Sequence, residues 1–292
     1  MVTKHLNITN KMVLGTAQFG MDYGIANTIG KPSNEDVFQI LDLAWESGVR
    51  KFDTAPSYNS ESLLGEFILN KGIQDKIKVL TKIPSLNGLS DYETIIIKST
   101  ELSLKNLGCP IDVLFFHDPK DSELLMSNPS FFKSLLDEYP VSTLGVSVYE
   151  PHEVEKLSIC GLELAFQFPF NILDRRFEKI TIPSGRRYAR SIFLQGILAS
   201  ADGLRSDSPK ELQNLQKNYH EKLAKKKIDP VSIAVSFVAQ NDVVDYYLIG
   251  VDSEKQFKEL LDLELFRQRD IDFSEILIEK TDKRWFDPRK WN

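Results

Sequence analysis

IKVLTKIPSLNGLSDYETIIIKSTELSLKNLGCPIDVLFFH, residues 77–117, holds one complete repeat of the chain's architecture. It opens with a short apolar run at 77–82 and closes with a second at 111–116. Between them Ser90 and Glu93 have the spacing of a capping box, and Gly108 is the residue type that most readily ends a helix in the left-handed region. Two strands joined through a helix run parallel, because a parallel pair needs a long crossover that a hairpin turn does not provide.

The same pattern recurs on both sides. Short apolar runs at 12–14, 49–53, 144–148, 162–167, 192–195 and 246–250 read as further strands. Ser33 and Asp36 open a helix that carries Val37, Ile40, Leu41 and Ala44 at helical spacing and stops at Gly48. Leu63, Leu64, Phe67 and Ile68 mark another, ending at Gly72, and 212–226 and 232–240 give two more. An open doubly wound sheet would place G-x-G-x-x-G after its first strand, and the chain has none. Eight strand–helix units in 292 residues instead fit a closed barrel. The expectation is an α/β, single-domain (β/α)8 TIM barrel over residues 1–292. The tail at 280–292 lies over its mouth or packs on its side.

Composition narrows the function classes. The chain is 42% hydrophobic and 27% charged, which excludes disorder as a description of the whole. Its net charge of −6 argues against a nucleic-acid binder, which would present a basic face. Lys225, Lys226 and Lys227 read as the solvated end of a helix. Cys109 and Cys160 are too few for a disulfide framework and read as thiols of a reducing compartment. No run approaches the roughly 20 apolar residues of a membrane helix, and the N-terminal stretch lacks a signal-peptide core. The expectation is a cytoplasmic protein with no membrane or nucleic-acid partner. His5, His117, His152 and His220 are too scattered for a metal motif, so no metal is expected.

In a parallel barrel the chemistry sits at the C-terminal ends of the strands. Those ends hold Asp53, Lys82 and His117, with Tyr58 just beyond Asp53. Singly, each has an ordinary structural explanation: a turn cap, a surface lysine, a satisfied core histidine. Together they differ, because a charge ending an apolar strand needs a partner. Asp53 and Lys82 lie on neighbouring strands and supply one another. A lysine beside Tyr58 would favour its phenolate and make the phenol a usable proton donor.

LGTAQFG at 14–20, DTAPSYNSESLLG at 53–65, Lys82 and His117 together resemble the aldo-keto reductase family. The likeness continues through LGVS at 144–147 and FLQGIL at 193–198 to IGVDS at 249–253. It implies reduction of an aldehyde or ketone by hydride from NADPH, with NADH as the second candidate. Tyr58 is then the proton donor, Lys82 and Asp53 activate it, and His117 orients the carbonyl.

The resemblance also implies a cofactor site. Ser147 and Gln167 hydrogen-bond the carboxamide, Phe193 stacks on the nicotinamide, and Gly15, Thr16, Asp53 and Gln195 line the site. Gly250, Ser253, Lys255 and Gln256 hold the adenosine phosphates. Val148 stands where the family commonly has asparagine, which removes one polar contact. Asp252 and Glu254 flank Lys255 where a basic residue would meet the 2′-phosphate, which weakens discrimination against NADH. Tyr23 and Trp285 are the substrate-side candidates, suited to a small carbonyl compound such as a sugar. A second class of function is a nicotinamide-binding sensor or regulatory subunit with little turnover, since a fold alone does not fix an activity.

Overall fold

Strand β1 (Met12–Gly15) pairs with β2 (Lys51–Asp53) on one side and with β8 (Tyr246–Gly250) on the other, and the second pairing closes the sheet. Between them run β3 (Lys78–Ile83), β4 (Ile111–Phe116), β5 (Leu144–Ser147), β6 (Leu164–Pro169) and β7 (Arg187–Arg190), all parallel and in sequence order. This is the closed (β/α)8 barrel the alternation predicts. The computed structural model describes residues 8–22, 30–182, 185–202, 204, 208–266, 271–277 and 282–291. No helix among them is long and apolar enough to cross a membrane.

The helices follow local chemistry. After the short α1 (Ala17–Gly20), α2 (Asn34–Glu46) begins at Ser33, whose hydroxyl accepts from the Asp36 amide in a complete capping box. α3 (Glu61–Lys71) and α4 (Tyr92–Leu107) end at Gly72 and Gly108, with φ of 63° and 64°. α5 (Leu124–Ser127), α6 (Pro129–Glu138) and α7 (Pro151–Leu157) cover the next strands. α8 (Lys210–Lys226) ends in the exposed lysines, with Lys227 as its left-handed cap. α9 (Pro230–Ala239) starts at Asp229, and α10 (Glu254–Leu261) starts at Ser253. Cys109 and Cys160 are both free, and burial pushes the Cys109 thiol up to about 11.

Two apolar layers result from strand alternation. Outward residues such as Phe52, Val79 and Val146 pack under the helices. A separate inner cluster of Val13, Leu80, Val113, Phe115, Ala165 and Tyr188 fills the barrel. Behind α3, the buried Glu61 carboxylate accepts from the Thr81 hydroxyl at 2.7 Å and the Asn106 amide at 3.3 Å, tying that helix to β3 and α4.

Two local expectations are corrected. Residues 192–195 are not the seventh strand, which is Arg187–Arg190. Ser191, Leu194 and Gln195 have φ of 58°, 46° and 54°, incompatible with a strand. The apolar run misled because Ile192 and Leu194 are buried beneath a loop, while two of the strand's four residues are arginines. Ser90 does not cap α4 with Glu93. The N-cap is Asp91, without a side-chain bond, and Glu93 instead accepts from the Asn128 amide at 2.6 Å.

The tail also packs. Trp285, Phe286 and Trp291 join the main core, and the Trp291 indole donates to the Trp285 carbonyl at 3.1 Å. Replacing Trp285 by alanine is expected to destabilise the protein by about 3–5 kcal/mol, as for other large buried aromatics. Gly65 matters for a different reason: a Cβ there would lie 1.9 Å from the Asn106 carbonyl oxygen, so α3 and α4 meet through bare backbone. Gly65→Ala should cost about 1–3 kcal/mol. Urea denaturation checks both, and an unchanged midpoint in either variant would refute the packing described.

Candidate active site

The alternation that fills the barrel also builds its mouth. Two residues beyond Leu80, Phe115, Ala165 and Tyr188 on the inner face come Lys82, His117, Gln167 and Arg190. On β2 and β5 the outward residues are Phe52 and Val146, so Asp53 and Ser147 face inward. Gly15 and Gly250 complete the rim side by side on the adjacent strands β1 and β8, and Gly15 is also in register with Asp53.

Lys82 and Asp53 are 2% and 3% exposed, yet both are charged groups. The Lys82 ammonium donates to Asp53 Oδ1 at 2.7 Å and to the Thr54 carbonyl at 2.8 Å. Gln167 Nε2 donates to the other carboxylate oxygen at 2.8 Å. Burial pulls the Lys82 acidity toward the neutral amine, but the Asp53 carboxylate, reinforced by the Tyr58 phenol, holds the ammonium above its ordinary range. The ammonium lies 4.8 Å from the Tyr58 ring centroid. Tyr58 and His117 meet edge to face with centroids 6.1 Å apart. The four residues singled out as catalytic are therefore one cluster.

His117 differs from an ordinary surface histidine. Burial, then the positive charges of Lys82 and Arg190, push its pKa down to about 4. Its ring stays neutral, so one nitrogen can donate to a carbonyl oxygen without a full positive charge.

Tyr58 is placed by a buried chain of hydroxyls that sequence reading missed. Thr16 Oγ1 donates to the Asp53 carbonyl at 3.1 Å, so its remaining contact, with Ser60 Oγ at 2.8 Å, takes the serine proton. Thr54 Oγ1 then donates to Ser60 at 3.0 Å. Thr16 is fully buried, and its hydroxyl joins the end of β2 to the turn that carries Tyr58. Gly20 completes the support, since a Cβ there would lie 1.7 Å from the Tyr58 carbonyl oxygen.

The cofactor candidates divide. Ser147 is buried and its hydroxyl has no partner among the described residues, while Gln167, its register partner, spends its amide N–H on Asp53. A carboxylate only accepts, so Nε2 is the end that faces Asp53, and Gln167 Oε1 has no hydrogen-bond partner among the described residues. The pair offers one hydroxyl, one carbonyl oxygen and the second N–H of Gln167 Nε2, a set that fits a carboxamide. Gly250 lies beneath the Gln18 side chain, where a Cβ would come within 2.3 Å of Nε2. Ser253 caps α10 by accepting from the Gln256 backbone amide at 3.2 Å, and Gln256 Oε1 accepts from the Asp252 amide at 2.8 Å. Lys255 is exposed, 3.8 Å from Glu259. Phe193 lies three residues beyond β7 and packs on the core, and the inward position ending that strand is Arg190. Gln195 sits in the left-handed turn after it.

On the substrate side, Tyr23 lies outside the described residues. Trp285 is 6% exposed with the Arg284 guanidinium over its ring, so packing occupies most of it. The tail reaches the rim through Arg289, which lies 3.1 Å over the Tyr149 ring just past β5.

Comparison with known proteins gives a family and a shared fold. The sequence model described as the aldo/keto reductase family matches residues 11–278. The chain is 30% identical over 168 residues to a putative voltage-gated potassium channel subunit beta from Schizosaccharomyces pombe, covering 51% of this chain and 48% of that one. It is 23% identical to aldo-keto reductase YhdN of Bacillus subtilis, covering 80% of both. The chain spans about half the length of several curated relatives it matches. A glycerol dehydrogenase structure from Gluconobacter oxydans shares the fold, with a TM-score of 0.68 at 21% identity over 91% of this chain and 88% of that one.

The lowered His117 pKa has a consequence for folding. Between about pH 6.5 and about pH 4 the unfolded chain binds a proton there that the folded chain does not, so stability falls as pH falls through this window. Wild type should therefore lose on the order of 1–2 kcal/mol more than His117→Asn between about pH 7 and pH 5. Urea titrations at both pH values check this, and equal losses would contradict a neutral His117.

Proposed function

The chain belongs to the aldo/keto reductase family, and we propose that it is an NAD(P)H-dependent reductase of a small aldehyde or ketone. The observation that carries this reading is the cluster at the mouth: Lys82 Nζ 2.7 Å from Asp53, 4.8 Å from the Tyr58 ring, with His117 edge-on to that ring. A reduced nicotinamide, when bound, supplies the hydride. The free Ser147 hydroxyl and Gln167 carbonyl oxygen would hold its carboxamide, and the start of α10 would receive its phosphates. No catalytic metal is invoked.

The chain's own residues then handle the proton. His117, neutral, donates a hydrogen bond to the substrate carbonyl and fixes its orientation. Tyr58 gives its phenolic proton to the developing alkoxide. Lys82 stabilises the phenolate left behind, and Asp53 keeps Lys82 charged and in place. The role assigned to Asp53 is positioning, since its two oxygens are spent on Lys82 and Gln167.

A second reading, a nicotinamide-binding regulatory subunit with little turnover, is favoured by the partial likeness to the channel subunit. A panel of aldehydes assayed with both NADPH and NADH separates the two, since a subunit of that kind would bind cofactor and turn over little.

Tyr58→Phe is expected to lower kcat by roughly 10²–10⁴-fold while leaving the cofactor Kd nearly unchanged. Stopped-flow turnover and fluorescence titration read the two separately. More than a tenth of wild-type kcat in the variant would exclude Tyr58 as the acid. For the cofactor, Lys255→Ala should weaken NADPH by about 2–5-fold and leave NADH alone, the scale of one exposed ion pair. Equal effects on both would remove Lys255 from the 2′-phosphate site.

A further inference from the structure

The end of the barrel opposite the mouth, its floor, holds charges and a phenol that the proton chemistry does not use. Lys51, Lys78 and Tyr246 open β2, β3 and β8. Each shares a strand face with an inward residue, Asp53, Leu80 or Leu248, so all three belong to the inner layer. Arg186 stands one residue before β7 on the same parity as Tyr188. It crosses the floor to pair with Asp112 on β4 and donates to Thr143 Oγ1 at 3.2 Å.

Three cations share one carboxylate there. Arg186 and Lys78 both reach the buried Asp112, Lys78 at 3.8 Å, and they take one oxygen each. Lys51 is half-buried, with its ammonium 4.3 Å over the Tyr246 ring, and it makes no hydrogen bond to a described residue. Burial pulls it toward the neutral amine, Asp112 opposes this, and Arg186 and Lys78 add repulsion. The other cations at this end are matched: Arg187 by Asp245, and Lys11 by the Ala239 and Val244 carbonyls.

A buried hydroxyl faces the same place. Tyr188 is fully buried, yet its phenol oxygen has no hydrogen-bond partner among the described residues. Its ring stacks on Tyr246 with centroids 5.1 Å apart. The charges that act on the phenol, those of Arg186, Asp112 and Asp245, all stand at strand starts, so the hydroxyl points to the floor and away from the mouth. Burial keeps its proton on, ready to be donated. A buried hydroxyl and a half-buried ammonium without acceptors are both costly, and one acceptor between them would satisfy both.

We propose that the barrel floor binds a small oxyanion, a phosphate or a carboxylate, between the Lys51 ammonium and the Tyr188 hydroxyl, with Lys78 at its open side. An anion does what a neutral acceptor cannot, because it takes both hydrogen bonds and also offsets the positive excess. The site is independent of the reductase reading, since the catalytic cluster lies at the other ends of the strands.

Calorimetric and thermal-shift titrations of the whole chain with inorganic phosphate and with acetate, against chloride at equal ionic strength, test it. At least one of the two oxyanions should bind saturably and raise Tm, and chloride should not. Lys51→Met should weaken that binding by about 10–100-fold, the scale of a charge-assisted hydrogen bond, and Tyr188→Phe by about 3–10-fold. In chloride Tyr188→Phe should melt close to wild type, because the deleted hydroxyl is unpaired there, and it should fall behind only when the oxyanion is added. Should Lys51→Met fail to fold, Lys78→Met, whose side chain is exposed, takes its place with an expected loss of about 2–5-fold. Saturating NADPH should leave the affinity unchanged. Loss of binding in its presence would move the anion to the mouth and overturn the proposal. Absence of saturable binding, an equal effect of chloride, or full affinity in either variant overturns it as well.

Discussion

The mouth of the barrel is organised around one buried ion pair, Lys82 with Asp53. Removing two charges from water costs several kcal/mol per ion, and mutual attraction offsets this only where geometry is good and the remaining valences are satisfied. Here they are: the ammonium also reaches the Thr54 carbonyl, and the second carboxylate oxygen takes the Gln167 amide. The pair thereby links β2, β3 and β6 across the opening. It also fixes which end of the Gln167 amide faces away from Asp53, and so which atom is left for a ligand.

Around that pair the fold provides rigid placement at each step. Eight parallel strands give eight inward positions at one rim, and alternation decides which residues occupy them. The Tyr58 turn is not part of a strand, so it needs separate support. The Thr16–Ser60–Thr54 hydroxyl chain and the bare backbone of Gly20 supply it. The tail adds a further wall, with Arg289 and Arg190 both over Tyr149.

Much of this was legible before the structure. The regular exchange of short apolar runs with capped helices was enough for the barrel, because parallel strands leave few other arrangements. Asp53, Lys82 and His117 were legible because each ends an apolar run, where a charge is conspicuous. Arg190 was not, because β7 carries arginines at both ends and the apolar run 192–195 beside it looked more like a strand. Once the strand is placed, parity with Tyr188 reveals Arg190 directly. The hydroxyl chain was hidden for a different reason: Thr16, Thr54 and Ser60 are common residues whose partnership exists only in three dimensions. The tail was half legible, since its aromatics announce burial but not the surface they cover.

The central claim is that Asp53 and Lys82 act on Tyr58 as one unit. A double-mutant cycle with Asp53→Asn and Lys82→Met, read as kcat/KM for a good aldehyde, tests it most directly. The account predicts that the double variant loses little more than the worse single variant, because either change already dismantles the pair. Losses in ΔΔG‡ that simply add would contradict it.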